Sequence, residues 1–202
     1  AAAGPGSGEP NPNIYVGSVG LTGSKDTPAY ALTNGGTVTE ITDADFDPTS
    51  DDWNIKWDGE TLTLNNADIT QSSYSGVAIY CGEDAGIHLV LVGDSTVTGP
   101  GGGDTEVSCG VYADGNLTID GDGTLNVSGG EVSANDAYSY GIFTPCDITI
   151  SGGSVTAEGG TASTTGSEGY AESFGIFAHN VTISGGTVNA DGGAASAAVT
   201  ES

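Results

Sequence analysis

Aromatic side chains recur at one place in this chain. Tyr80, Tyr112, Phe143 and Phe177 each follow an aliphatic residue, in Ala78-Ile79-Tyr80-Cys81, Gly110-Val111-Tyr112-Ala113, Gly141-Ile142-Phe143-Thr144 and Gly175-Ile176-Phe177-Ala178. Alternate residues of a strand face opposite ways, so inward Ile79, Val111, Ile142 and Ile176 would put the four rings outside. A row of exposed rings is a platform for the apolar faces of sugars, and it makes Tyr80, Tyr112, Phe143 and Phe177 the expected carbohydrate-binding residues. Two other placements fit the same residues. The row is covered by a loop or a second subunit, or the in/out assignment is reversed.

Carboxylates form the second set. Aligning the repeats stacks Ser128, Glu158 and Asp191. Two carboxylates one repeat apart repel each other. A calcium ion takes oxygen ligands and would convert that repulsion into attraction. Glu158 and Asp191 are therefore the expected calcium ligands, with Asp120 and Asp122 of Asp120-Gly121-Asp122-Gly123 as further ones. The plain alternative is a set of solvated carboxylates on exposed turns. Asn116, Asp147 and Asn180 recur before the second strand of their repeats, where Asn and Asp bond to local backbone; we read them as structural.

Little here can do catalysis. The only cations besides histidine are Lys25 and Lys56, both ahead of the repeats, so the repeats lack the cationic base of an elimination reaction. His88 falls in a column otherwise filled by Thr63, Thr118, Thr149 and Thr182, and His179 lies in a turn. Neither has a nucleophile partner in the sequence pattern. Cys81, Cys109 and Cys146 form no CxxC pair, which argues against a zinc or redox site. The expectation is that the chain is not an enzyme.

The elements that must position these residues are short strands. The four aromatic segments start 32, 31 and 34 residues apart. Each leads to a second alternating stretch: Ile87-His88-Leu89, Leu117-Thr118-Ile119, Ile148-Thr149-Ile150 or Val181-Thr182-Ile183. Each then passes a Gly-rich turn to a third, for example Leu125-Asn126-Val127 or Val155-Thr156-Ala157. Period-2 alternation with Gly, Asn, Asp and Ser between the runs is the strand signature. Gly and β-branched residues dominate, and no helical stripe runs through them. Strands this short need stacked equivalents above and below to bury their apolar residues. The expected fold is all-β: a right-handed parallel β-helix with three short strands per coil and about 31–34 residues per coil. The third turn of each coil varies in length, and variable loops on a rigid scaffold are common binding sites.

The organisation reads as a linker or processed start at 1–13, an N-terminal β cap at 14–56, the parallel β-helix at 57–193 and a tail at 194–202. A cap is expected because an open first coil exposes unpaired backbone and core. No comparable cap follows the last coil.

Trp57-Asp58-Gly59-Glu60-Thr61-Leu62-Thr63-Leu64, the repeated Gly-Ile/Val-Tyr/Phe and the recurring Ile-Ser-Gly-Gly-Ser/Thr-Val resemble the secreted β-helix proteins of Clostridia and other gut Firmicutes, commonly labelled carbohydrate-binding domain proteins. The resemblance covers roughly residues 14–193. It implies a pectate-lyase-like right-handed β-helix, a place outside the cell or on its surface, and binding of polysaccharide with calcium and without catalysis. No motif here carries over calcium ligands residue by residue.

The net charge of −25 repels nucleic acid and anionic membranes, and it favours cations and neutral glycans. No run of 18 apolar residues is present, so membrane insertion is not expected. Two functions remain. One is a polysaccharide-binding or adhesive module. The other is a self-assembling subunit of a filament or surface layer, joined as a homo-polymer through the uncapped end and the terminal tails.

Overall fold

The computed structural model describes residues 14–70, 76–82, 86–102 and 106–198. Among these there is no helix. Seven strands come first: β1 (Ile14–Val16), β2 (Val19–Leu21), β3 (Ala29–Asn34), β4 (Thr37–Glu40), β5 (Ile55–Trp57), β6 (Thr61–Asn65) and β7 (Asp68–Ile69). Four coils follow. The first holds β8 (Val77–Cys81), β9 (Ile87–Val92) and β10 (Asp94–Thr98). The second holds β11 (Val107–Ala113), β12 (Leu117–Gly121), β13 (Thr124–Ser128) and β14 (Val132–Ala134). The third holds β15 (Ala137–Phe143), β16 (Asp147–Ile150), β17 (Ser154–Glu158) and β18 (Ala162–Thr164). The fourth holds β19 (Ala171–Phe177), β20 (Asn180–Ile183), β21 (Thr187–Asp191) and β22 (Ala195–Ser196).

Equivalent strands of successive coils pair in parallel, so the molecule is a parallel β-helix. The first sheet runs β8-β11-β15-β19, the second β6-β9-β12-β16-β20 and the third β7-β10-β13-β17-β21. Register keeps like residues in columns. Leu62, Leu89, Ile119, Ile150 and Ile183 form one inward column, and Ile79, Val111, Ile142 and Ile176 another. In all but the last coil these side chains are buried. Burying each such side chain is worth about 1.5–3 kcal/mol. The columns turn that into a continuous core that no coil could form alone.

Two details differ from the sequence reading. A fourth, three-stranded sheet, β14-β18-β22, occupies the variable third turn. Val132, Ala137 and Ala162 make a small apolar cluster of their own there, enough to order a strand inside what reads as a loop. His88 faces Thr61, not Thr63, which pairs with Val90 instead. The shift of two residues keeps Thr61 outward, so alternation alone cannot reveal it.

At the N-terminal end, β1 pairs antiparallel with β8 and β2 with β1, extending the first sheet, and β5 pairs antiparallel with β6, β3 with β5 and β4 with β3, extending the second. Parallel pairing begins with β6 and β7. The last coil has nothing above it among the described residues: Val181 and Ile183, in columns buried elsewhere, are 50% and 54% exposed. The linker reading of 1–13 and the final residues of the tail, 199–202, lie outside the described residues.

Candidate functional site

The first sheet bends at a column of glycines. A Cβ on Gly141 would lie 2.6 Å from the Gly175 carbonyl oxygen and 2.9 Å from the Glu158 amide, and Gly110 and Gly175 are hemmed in likewise. The strand pinches inward there, and its alternation slips by one residue. Ser108 and Cys109 point in and out, and then Val111 and Tyr112 do the same. Ser139, Tyr140, Ile142 and Phe143 repeat the pattern. The inward serines are tied down: Ser139 Oγ donates to the Gly130 carbonyl at 2.8 Å and accepts the Gly160 amide at 2.8 Å. Ser108 and Ser173 hold the equivalent turns, Ser108 Oγ accepting the Gly130 amide and Ser173 Oγ the Gly193 amide.

The slip puts two outward rows on this face. The first is the expected one. Tyr80, Tyr112, Phe143 and Phe177 stack at centroid distances of 5.2, 5.3 and 5.1 Å, with planes within 13° of parallel. These are offset stacks, so each ring covers part of its neighbour's face. The second row, Val77, Cys109, Tyr140 and Phe174, is one that strict alternation misses. Tyr140 and Phe174 stack at 6.1 Å, and Tyr140 leans on Phe143 at 5.1 Å. Tyr138 lies parallel to Tyr140 at 6.4 Å. The residue before each repeat glycine carries the signal: Cys109-Gly110, Tyr140-Gly141, Phe174-Gly175.

The second row carries rings only in the last two coils. Tyr138 and Tyr140 sit above Val107 and Cys109, whose side chains are too small to cover them. The result is an apolar cleft of about 210 Å³ lined by Val107, Cys109, Tyr112, Tyr138, Tyr140 and Phe143. Carboxylates stand at its edge. Tyr112 donates its hydroxyl to Asp114 at 2.8 Å, and Tyr140 donates to Glu172 at 3.3 Å. Burial first, and then these carboxylates, push both phenols well above the ordinary tyrosine range. Burial also raises the Cys109 thiol, and Cys81 rises to about 11 through burial and the charge of Asp114. Thiols held protonated in this way are not nucleophiles.

The acidic residues do not converge. Ser128, Glu158 and Asp191 stack in register on the third sheet, as aligned from sequence. Glu158 lines a shallow cleft with Thr96, Asn126, Val127, Ser128 and Thr156, and Asp191 accepts a bond from Asn189 at 2.9 Å. Asp120 lies on β12 of the second sheet and Asp122 in the turn that follows it, and Asp120 accepts the Gly121 amide at 2.7 Å. Among the described residues no three histidine, cysteine or carboxylate side chains form a metal-binding group. Glu158 and Asp191 therefore offer calcium two carboxylates, and six to eight oxygens would have to be completed by backbone, water or a ligand.

Asn116, Asp147 and Asn180 form a hydrogen-bonded ladder. Asn116 Oδ1 accepts the Asp147 amide at 3.1 Å, and Asn180 donates to Asp147 at 2.8 Å. His179 stands 3.1 Å from the same carboxylate. The bonds from Asn180 and then His179 hold Asp147 below the usual carboxylate range. No protein-family model, no curated protein and no solved structure matches this chain.

Proposed function

We propose that this chain is a non-catalytic, extracellular polysaccharide-binding module, with the glycan lying along the aromatic face of the first sheet. The observation that carries the reading is the double row of rings with an apolar cleft in it and carboxylates at its rim. Rings supply apolar contact to sugar C–H groups, and carboxylates accept bonds from sugar hydroxyls. An extended polymer would meet an equivalent set of groups at every coil. The rows of rings cover one another's faces, so ring edges and the cleft make the contact, with Tyr80, Tyr112, Phe143 and Phe177 as one wall. The proposed role of calcium is to bridge Glu158 and Asp191 to ligand hydroxyls. The resemblance of the repeats to secreted clostridial β-helix proteins supports the same reading, as does the shortage of cations in the repeats.

The test is a pull-down on a panel of insoluble and gelled polysaccharides, with calcium and then with chelator. Retention on one class is expected, and retention lost with chelator would support the calcium role. Tyr112→Ala with Phe143→Ala should weaken retention about tenfold or more while leaving the circular dichroism of the β-helix intact. Unchanged retention in the double variant would remove the aromatic face from the proposal.

The second reading, assembly of copies through the last coil, has one observation in its favour. Val181, Ile183, Phe174 and Phe177 leave the top of the stack apolar and exposed, beside the edges of β19, β20 and β21.

A further inference from the structure

The chemistry at the rim of the cleft narrows the ligand class, and the inference rests on the proposed glycan-binding reading. Acidic residues neighbour Tyr138 along the chain and in both adjoining coils. Glu172 is its register partner in the coil above. The Glu106 carbonyl, in the coil below, accepts the Tyr138 amide at 2.8 Å. Asp136 lies two residues before it on the same strand path and accepts the Tyr170 amide at 2.9 Å. Burial, and then the charges of Asp136, Glu172 and Glu106, raise the Tyr138 phenol. No protein cation answers these groups: both lysines precede residue 57, and Lys25 is already paired with Glu60 at 2.6 Å.

The two halves of the site ask for one kind of ligand. The gap over Cys109 and Val107 is bounded by the rings of Tyr138 and Tyr140 and walled by Tyr112 and Phe143. A flat or puckered six-membered ring would complete the missing rung. The Glu172 carboxylate, held by the Tyr140 hydroxyl at the cleft's edge, and the charges of Glu106 and Asp136 beyond it call for a positive charge on that ring's edge. We propose that this cleft is a subsite for an amino sugar with a free, protonated amine, the ring filling the rung and the ammonium lying among Glu106, Asp136 and Glu172. A uronate sugar would place its carboxylate against three others and is rejected. Neutral sugars can lie along the remaining face without using this subsite.

The experiment measures binding of N-acetylglucosamine oligomers, their de-N-acetylated forms, oligogalacturonate and an oligolysine of matched charge. Mildly acidic pH keeps the free sugar amine protonated. Three proteins are compared with the native chain: Glu106→Gln with Glu172→Gln, Cys109→Phe, and the remote charge control Asp43→Asn with Asp51→Asn. The native chain should bind the free-amine oligomer about tenfold more tightly than the acetylated one, the scale of one partly desolvated charge pair. The Gln pair should lose that preference and bind the two forms alike. Cys109→Phe, which continues the row set by Tyr140 and Phe174, should lose it by plugging the cleft. The remote control should keep it. Equal binding of the two forms overturns the amino-sugar subsite and leaves the glycan reading standing. Loss of the preference in the remote control, or its survival in Cys109→Phe, assigns it to the general negative field and overturns the subsite. Oligolysine binding abolished by the Gln pair and by Cys109→Phe, without sugar binding, assigns the cleft to a basic peptide and also overturns it. Failure to bind any sugar removes both readings together.

Discussion

Tyr112 and Tyr140 each spend a hydroxyl proton on a carboxylate, Asp114 in one case and Glu172 in the other. That bond exists only while the phenol is neutral. Folding therefore favours the protonated form, and the phenols titrate higher in the folded chain than in the unfolded one. The resulting stability is fully present below the ordinary tyrosine value of 10.0 and is lost as pH rises above it. Two outcomes are expected. In an ultraviolet titration of the eight tyrosines, at least two should ionise well after exposed ones or only with unfolding. Tyr112→Phe should flatten the loss of thermal stability at alkaline pH. Simultaneous titration of all tyrosines in the folded protein would contradict the buried phenol–carboxylate pairs.

At the scale of elements, the glycine column decides what the first sheet presents. Gly110, Gly141 and Gly175 let each strand pinch toward the third sheet, and the slip in alternation brings a second residue of every coil to the outer face. Gly141→Val would place a branched side chain against the Gly175 carbonyl and the Glu158 backbone. The third coil cannot absorb it without moving β15 away from β17. Overpacking of this kind costs about 1–3 kcal/mol, and a crowded backbone puts the cost at the upper end. A urea titration should show the midpoint falling accordingly, with the aromatic near-ultraviolet dichroism altered because Tyr140 and Phe143 ride on the bend. An unchanged midpoint would mean that the bend tolerates a side chain, and the glycines would then have no structural role at this place.

For the whole molecule, the two ends differ. Antiparallel strands continue two sheets past the first coil, so the core there is closed over. The last coil leaves Val181 and Ile183 half in solvent beside strand edges that have no partner among the described residues. If copies assemble, the contact uses this end, and it works against the mutual repulsion of chains carrying −25 each. Assembly should therefore strengthen with salt, since screening shortens the reach of that repulsion to about 8–10 Å near physiological ionic strength. Light scattering across a concentration series, at low and moderate salt, should show mass rising with both. Ile183→Asp should abolish the rise. A monomeric mass at every concentration and salt level would dispose of the assembly reading and leave the glycan reading untouched.

The repeat of Gly-Ile/Val-Tyr/Phe at 31–34 residues was enough to establish the parallel β-helix and to align its columns; of the placements left open for the row from Tyr80 to Phe177, the fold has the outward one. Alternation and periodicity are local rules, and a stacked coil repeats them faithfully. The alignment of Ser128, Glu158 and Asp191 followed for the same reason. What sequence alone could not supply are contacts that depend on how neighbouring strands approach. The bend at the glycines is set by the closeness of another sheet, so Tyr140 and Phe174 reach the surface against the strict two-residue rule. The strand pairs of the fourth sheet form because Val132 and Ala162 find each other across coils of unequal loop length. The cleft over Cys109 exists only because larger rings stand above and beside a small side chain. Residue order determined the columns. The packing distance between sheets decided which of them meet solvent, and where a ring is missing.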